Sequence, residues 1–120
     1  MENVEIRQFT GADFQVMTQF EGWKIGLLRH SQRFSACCQM ERHLETDEAF
    51  VLLEGSAALY VEDQKIPMEK CTVYNVRKAA WHHIVVSEDA TVLVVENSNT
   101  SKENSEKKYI DEKEKGNADK

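Results

Sequence analysis

Chemistry in this chain has to come from a short roster of side chains. There are four histidines, His30, His43, His82 and His83, and three cysteines, Cys37, Cys38 and Cys71. Cys37 and Cys38 are neighbours, so on a strand they point to opposite faces and cannot easily hold one ion. They read as small apolar residues of a sheet, the usual role of a free cysteine. His82 and His83 are also adjacent, and a regular strand turns only one of them inward unless a bulge shifts the register. Glu41 and His43 are different: two residues apart, they share one face of a strand. The plainer reading is that Glu41 lies with Arg42 and Glu45 on a polar rim. Glu48 and Glu54 do not make an acid–base dyad, because Glu54 directly precedes the turn at Gly55 and should be exposed. His30 has no partner at metal spacing. The chain has no glycine-rich phosphate loop, nucleophile elbow or paired CxxC.

These residues sit among short apolar runs of mostly four to seven residues, rich in Val, Leu, Phe and Tyr. The runs are Val4–Phe9, Phe14–Phe20, Trp23–Arg29, Phe34–Met40, Ala49–Leu53, Ala57–Glu62, Lys65–Pro67, Cys71–Val76, Trp81–Val86 and Thr91–Glu96. Turn signals separate them, among them Glu21-Gly22, Gly55-Ser56 and Ser87-Glu88-Asp89. Frequent short strands with regular turns predict an all-β sandwich or barrel. A short helix near Phe14 is the one alternative, with Phe14, Val16 and Met17 along one side. Trp23, Tyr60 and Tyr74 are placed to line the mouth of a barrel or to pack in its core. Phe50–Leu53 and Thr91–Val95 are apolar on both faces. One small domain has a single core to offer, so their second face points to a two-fold homodimer.

At 120 residues there is one domain. The net charge of −6 disfavours nucleic acid and anionic membranes as partners, and no apolar stretch approaches a membrane span. The acidic, polar start shows no secretory signal, and an odd cysteine count is no disulfide framework, so a cytoplasmic location is expected. Composition changes near residue 98. Residues 100–120 hold six Lys and six acidic residues, with Tyr109, Ile110 and Ala118 as their apolar residues. The expected organisation is a domain over 1–99 and a charged tail over 100–120, mobile or partly docked around Lys108-Tyr109-Ile110.

The segment from Glu41 to Gly55 resembles the first signature of the cupin superfamily, in which His-x-His is followed by a Glu and, six residues later, a Gly. His43, Glu48 and Gly55 match at that spacing. Glu41 replaces the first His, and Ser35 stands at the leading Gly. The second signature is degenerate. Its His is met by His82, with Arg77, Ala79 and Val86 where the family has Pro, Gly and Asn. The resemblance covers about residues 23–97 and implies a jelly-roll β-barrel (double-stranded β-helix) of the small, single-domain RmlC-like kind. It also implies a metal set of Glu41, His43, Glu48 and His82, for a divalent Fe, Mn, Zn or Ni ion. With Glu41 in a His position and the second signature worn, the first expectation is a barrel that binds a small polar molecule without catalysis. The alternatives are a metal-dependent dioxygenase, isomerase or lyase, and a scaffold for interactions. Fold alone selects none of them.

Overall fold

The computed structural model describes residues 3–110. Ten strands form two five-stranded sheets whose ladders are all antiparallel. The strands are β1 (Phe14–Phe20), β2 (Trp23–Arg29), β3 (Gln39–His43), β4 (Glu48–Glu54), β5 (Ala57–Val61), β6 (Gln64–Pro67), β7 (Val73–Val76), β8 (His82–Val86), β9 (Thr91–Glu96) and β10 (Ser105–Tyr109). One sheet runs β1-β2-β9-β4-β7 and the other β10-β3-β8-β5-β6. This is the expected all-β jelly-roll barrel.

Alternation along the strands sets the interior. Glu48, Phe50 and Leu52 on β4 are buried, as are His82, Ile84 and Val86 on β8 and Val92, Val94 and Glu96 on β9. Register aligns them, with Glu48 opposite Glu96, Phe50 opposite Val94 and Leu52 opposite Val92. Leu59 of β5 faces Ile84 and, with Val92 and Val94, is among the most deeply buried side chains. Gly55 closes the turn from β4 to β5 at φ 72°, where a side chain is strained, and a Cβ there would meet the Ala90 backbone at 2.6 Å.

Three local expectations are corrected. Val4–Phe9 is not a strand, although Phe9 is buried and its ring packs under Arg29. Phe34–Met40 is not one either: a 3₁₀ turn, Gln32–Phe34, buries Phe34, and the strand starts at Gln39. The segment at Phe14 is a strand rather than a helix. Cross-strand pairing with β2 decides this, and Gly26 of β2 leaves the space that the Phe14 ring fills. The chain also stays in the sheet beyond residue 99. Residues 105–109 pair with β3 along its whole length, so this part of the charged segment is docked. Residues 111–120, on which the rest of the tail expectation falls, lie outside the described residues. No described helix is long and apolar enough to cross a membrane.

Candidate metal centre

Three strands bring their polar residues to one end of the barrel. β3 carries Glu41 and His43 on its inner face, and Glu41 stands directly opposite His82 of β8. β4 supplies Glu48, the first residue of its buried series. Glu41, His43, Glu48 and His82 converge, each offering one donor atom within 4.8 Å of all the others. The two imidazole rings lie 5.4 Å apart, centroid to centroid.

Both rings are oriented by their far nitrogens. Nδ1 of His82 donates to the Ala80 carbonyl at 3.0 Å, leaving Nε2 toward Glu48 at 2.8 Å. Nδ1 of His43 meets the Ser105 hydroxyl at 2.8 Å, and its Nε2 lies 3.1 Å from the same Glu48 oxygen. Glu41 is 3.9 Å from His43 Nε2. Burial pulls each imidazole toward its neutral form, but the Glu48 carboxylate outweighs it and holds His43 and His82 above the ordinary histidine pKa. Burial likewise acts to raise Glu48, yet hydrogen bonds from His43, His82 and the Glu96 carboxyl hold it well below the usual carboxylate range.

This donor set fits a divalent ion. Ligand atoms bound at about 2.0–2.2 Å to one ion lie no more than about 4.4 Å apart, so side-chain adjustment of a few tenths of an ångström suffices. Two imidazoles with two carboxylates suit Fe, Mn or Zn by type. Each histidine already has the outer hydrogen bond that ligating imidazoles use to fix their tautomer.

His83 takes the other direction along β8. It is buried, donates from Nε2 to the Arg33 carbonyl at 3.1 Å, and stacks on Phe34 with centroids 5.9 Å apart. Burial lowers its pKa. Trp81 lies beneath two cations, Arg42 and Lys108, each 4.5 Å from its ring centroid. The three aromatics expected at the mouth do not line the cavity beside the donors. Trp23 is 43% exposed beside Phe20, Tyr60 lies on the outer side of β5 near Lys65, and the Tyr74 hydroxyl accepts from the Glu69 amide. Strand alternation turns Tyr60 outward, one place from the inward Leu59, whereas Tyr74 shares the inward face with Val76 and packs against the apolar core away from the donors. Glu54 is exposed and His30 half-buried, away from the group.

The cavity itself measures about 690 Å³. Phe14, Leu28, Phe34, Phe50, Ile84 and Val94 make its apolar wall, with Glu41, His43 and Glu48 on one side. Sequence reasoning missed Glu96. It is the third member of the inward series Val92, Val94, Glu96, so its phase with buried valines was the signal. Burial and the adjacent Glu48 carboxylate push it up to about 8, despite Lys24 at 3.7 Å. It also missed Ser105, which the charged composition of its surroundings concealed.

Neither the known family profiles nor the curated proteins match the chain. Solved structures do. A cupin-2 domain protein from Shewanella frigidimarina superposes with a TM-score of 0.59 at 19% identity, covering 72% of this chain and 82% of its own. A cupin superfamily protein from Desulfitobacterium hafniense gives 0.56 at 21%, covering 77% and 81%. Streptomyces Pac13 with uridine gives 0.68 at 11%, covering 84% and 81%. Pac13 is described as a nucleoside dehydratase. With two antiparallel sheets and these neighbours, the chain has the jelly-roll fold seen in these cupin structures.

Proposed function

We propose that this protein binds a small polar molecule inside the barrel, at a divalent metal centre held by Glu41, His43, Glu48 and His82. The observation that carries the reading is the convergence of two imidazole nitrogens and two carboxylates at the wall of a cavity of about 690 Å³. That volume is in the range of small-molecule sites. Pac13, of similar fold, is known with uridine bound. Elemental analysis of protein purified without chelator tests the metal. About one equivalent of Fe, Mn, Zn or Ni is expected, falling at least tenfold in His43→Ala. A metal-free protein that also takes up none on titration contradicts the reading.

Glu96 favours a second reading, that of a metal-dependent dioxygenase, isomerase or lyase. A carboxyl held protonated to about pH 8 beside the donor set is the kind of group that gives or takes a proton in catalysis. Glu96→Gln separates the two: turnover of a bound compound would be lost while its binding stayed.

The outer face of the β1-β2-β9-β4-β7 sheet supports a homodimer. Leu27, Leu93, Val51 and Val73 lie in one cross-strand row, with Ile25, Val95 and Ala49 in the next. Val73 is 67% exposed, and a continuous apolar row of this kind is characteristic of an interface. Sedimentation at micromolar concentration should give twice the chain mass. An odd count of three cysteines suits a reducing compartment such as the cytoplasm.

A further inference from the structure

The mouth of the cavity is ringed by cations that the metal centre does not use. Lys24, Arg33, Lys102 and Lys107 all line it. Two are partly engaged. Lys24 lies 3.7 Å from Glu96 and donates to the Thr100 carbonyl at 3.0 Å. Arg33 reaches Asp13 at 3.9 Å and Glu41 at 4.0 Å. Lys102 and Lys107 have no carboxylate within ion-pair distance among the described residues.

The register of β10 places Lys107 deliberately. It stands directly opposite Glu41, as Ser105 stands opposite His43, so both belong to the inward face of the strand. Lys108 takes the outward face and covers Trp81. Beside this ring the Thr100 hydroxyl is buried and has no hydrogen-bond partner, although Thr100 lines the cavity. A buried hydroxyl left unpaired costs free energy until something satisfies it. Below the ring the wall is apolar, with Phe14, Phe34 and Val94.

Charge balance gives the ligand its sign. The carboxylates on the cavity wall are Glu41, Glu48 and Glu96. A divalent ion offsets the first two, Lys24 pairs with Glu96 and Arg33 reaches Asp13. Lys102 and Lys107 then face the cavity with no carboxylate paired to them among the described residues, and an apolar wall lies behind. From this we infer that the natural ligand is a small organic anion, a carboxylate or phosphate monoester with an apolar body. Its charged group lies at Lys107 and Lys102, within reach of Thr100, and its body rests on the phenylalanines. The inference rests in part on the metal reading, through that charge balance.

Matched probes test it on the full chain. 3-Phenylpropionate and phenyl phosphate are titrated calorimetrically at low salt beside their uncharged counterparts, 3-phenylpropanamide and phenol, with metal content measured on the same samples. At least one anion should bind tenfold or more tightly than its neutral partner. Lys107→Gln should remove that advantage, and Lys108→Gln, on the other face of the same strand, should leave it intact. Which anion wins separates the carboxylate source from the phosphate source. Equal binding of anion and neutral partner, no binding of either anion at millimolar concentration, or equal effects of the two lysine variants overturns the inference. The two readings fail separately. Metal present without anion preference keeps the centre and removes the anion site, whereas anion preference lost in Lys107→Gln but seen without metal keeps the anion site and removes the centre.

Discussion

The two ends of this barrel are built from the same strands and differ in what those strands point inward. At one end β4, β8 and β9 contribute Leu52, Val86 and Val92, joined by Leu59 and Ala90, all nearly inaccessible. At the other end they contribute Glu48, His82 and Glu96, and β3 adds Glu41 and His43. The midpoint of each strand, Phe50, Ile84 or Val94, belongs to both the core and the cavity wall. The apolar end is stable by close packing and needs nothing further. The polar end buries carboxylates and imidazoles that satisfy one another through a single Glu48 oxygen, at a standing desolvation cost. The difference teaches where stability and function reside: the closed end holds the strands in register, so that the open end can hold charged groups together.

The largest expected effect falls at the closed end. Leu59→Ala should destabilise the protein by about 2–5 kcal/mol in chemical denaturation, since it removes a fully buried side chain. Metal bound per folded molecule should be unchanged. A loss of metal in the folded fraction would mean that the two ends are not separable.

His82→Ala is the opposite experiment. Metal content should fall at least tenfold. The metal-free protein should lose less stability than Leu59→Ala does, because His43 and Glu96 still hydrogen-bond Glu48. Thermal unfolding of the two variants in chelator makes the comparison.

The polar end should also give the metal-free protein its pH dependence. His43 and His82 have folded pKa values raised above the ordinary 6.5, so their contribution is complete below about pH 6.5 and is lost as pH rises through the folded values. Glu96, raised from 4.5 to about 8, acts in the same direction: its contribution is complete below 4.5 and is lost as pH rises to about 8. Glu48, lowered, acts only on the acid side, where its contribution disappears as pH falls below 4.5. In chelator, Tm should therefore fall as pH rises from about 4.5 to about 8, more steeply above about 6.5 where the two histidines add to Glu96. Added metal should stabilise more strongly over that same range, because it replaces protons on the imidazoles. A flat Tm in chelator contradicts this, and Glu96→Gln should reduce the slope.

Ser105→Ala is the mildest change. It removes the hydrogen bond that fixes the His43 ring and should weaken metal binding about tenfold in competition with a chelator, with only a small shift in Tm.

Much of this was legible in the sequence. The turn-bounded apolar runs give eight strands at or near their positions, and the spacing from His43 through Glu48 to Gly55 picks out two of the four side chains that converge. His82 rather than His83 followed from the resemblance, and the structure puts its partner Glu41 directly across the ladder. What escaped had physical reasons. The pairing of β10 with β3 is a long-range contact between residues with ordinary surface composition, so nothing local announces Ser105 or Lys107. Phe34 is buried from a 3₁₀ turn, whose short span leaves no periodicity to read. Aromatic character alone points to Trp23, Tyr60 and Tyr74, whereas placement decides which rings line the cavity: Phe14 and Phe50 from their strands and Phe34 from the 3₁₀ turn.

The central claim is that the polar end of the barrel is a metal centre, and anomalous diffraction from crystals grown with Mn or Zn tests it most directly. One peak is expected inside the barrel, about 2.0–2.3 Å from Nε2 of His43 and of His82 and from a carboxylate oxygen of Glu48, with Glu41 completing the set. A map without a peak there, with His43 and His82 still bonded to Glu48 and the metal elsewhere or absent, would contradict it.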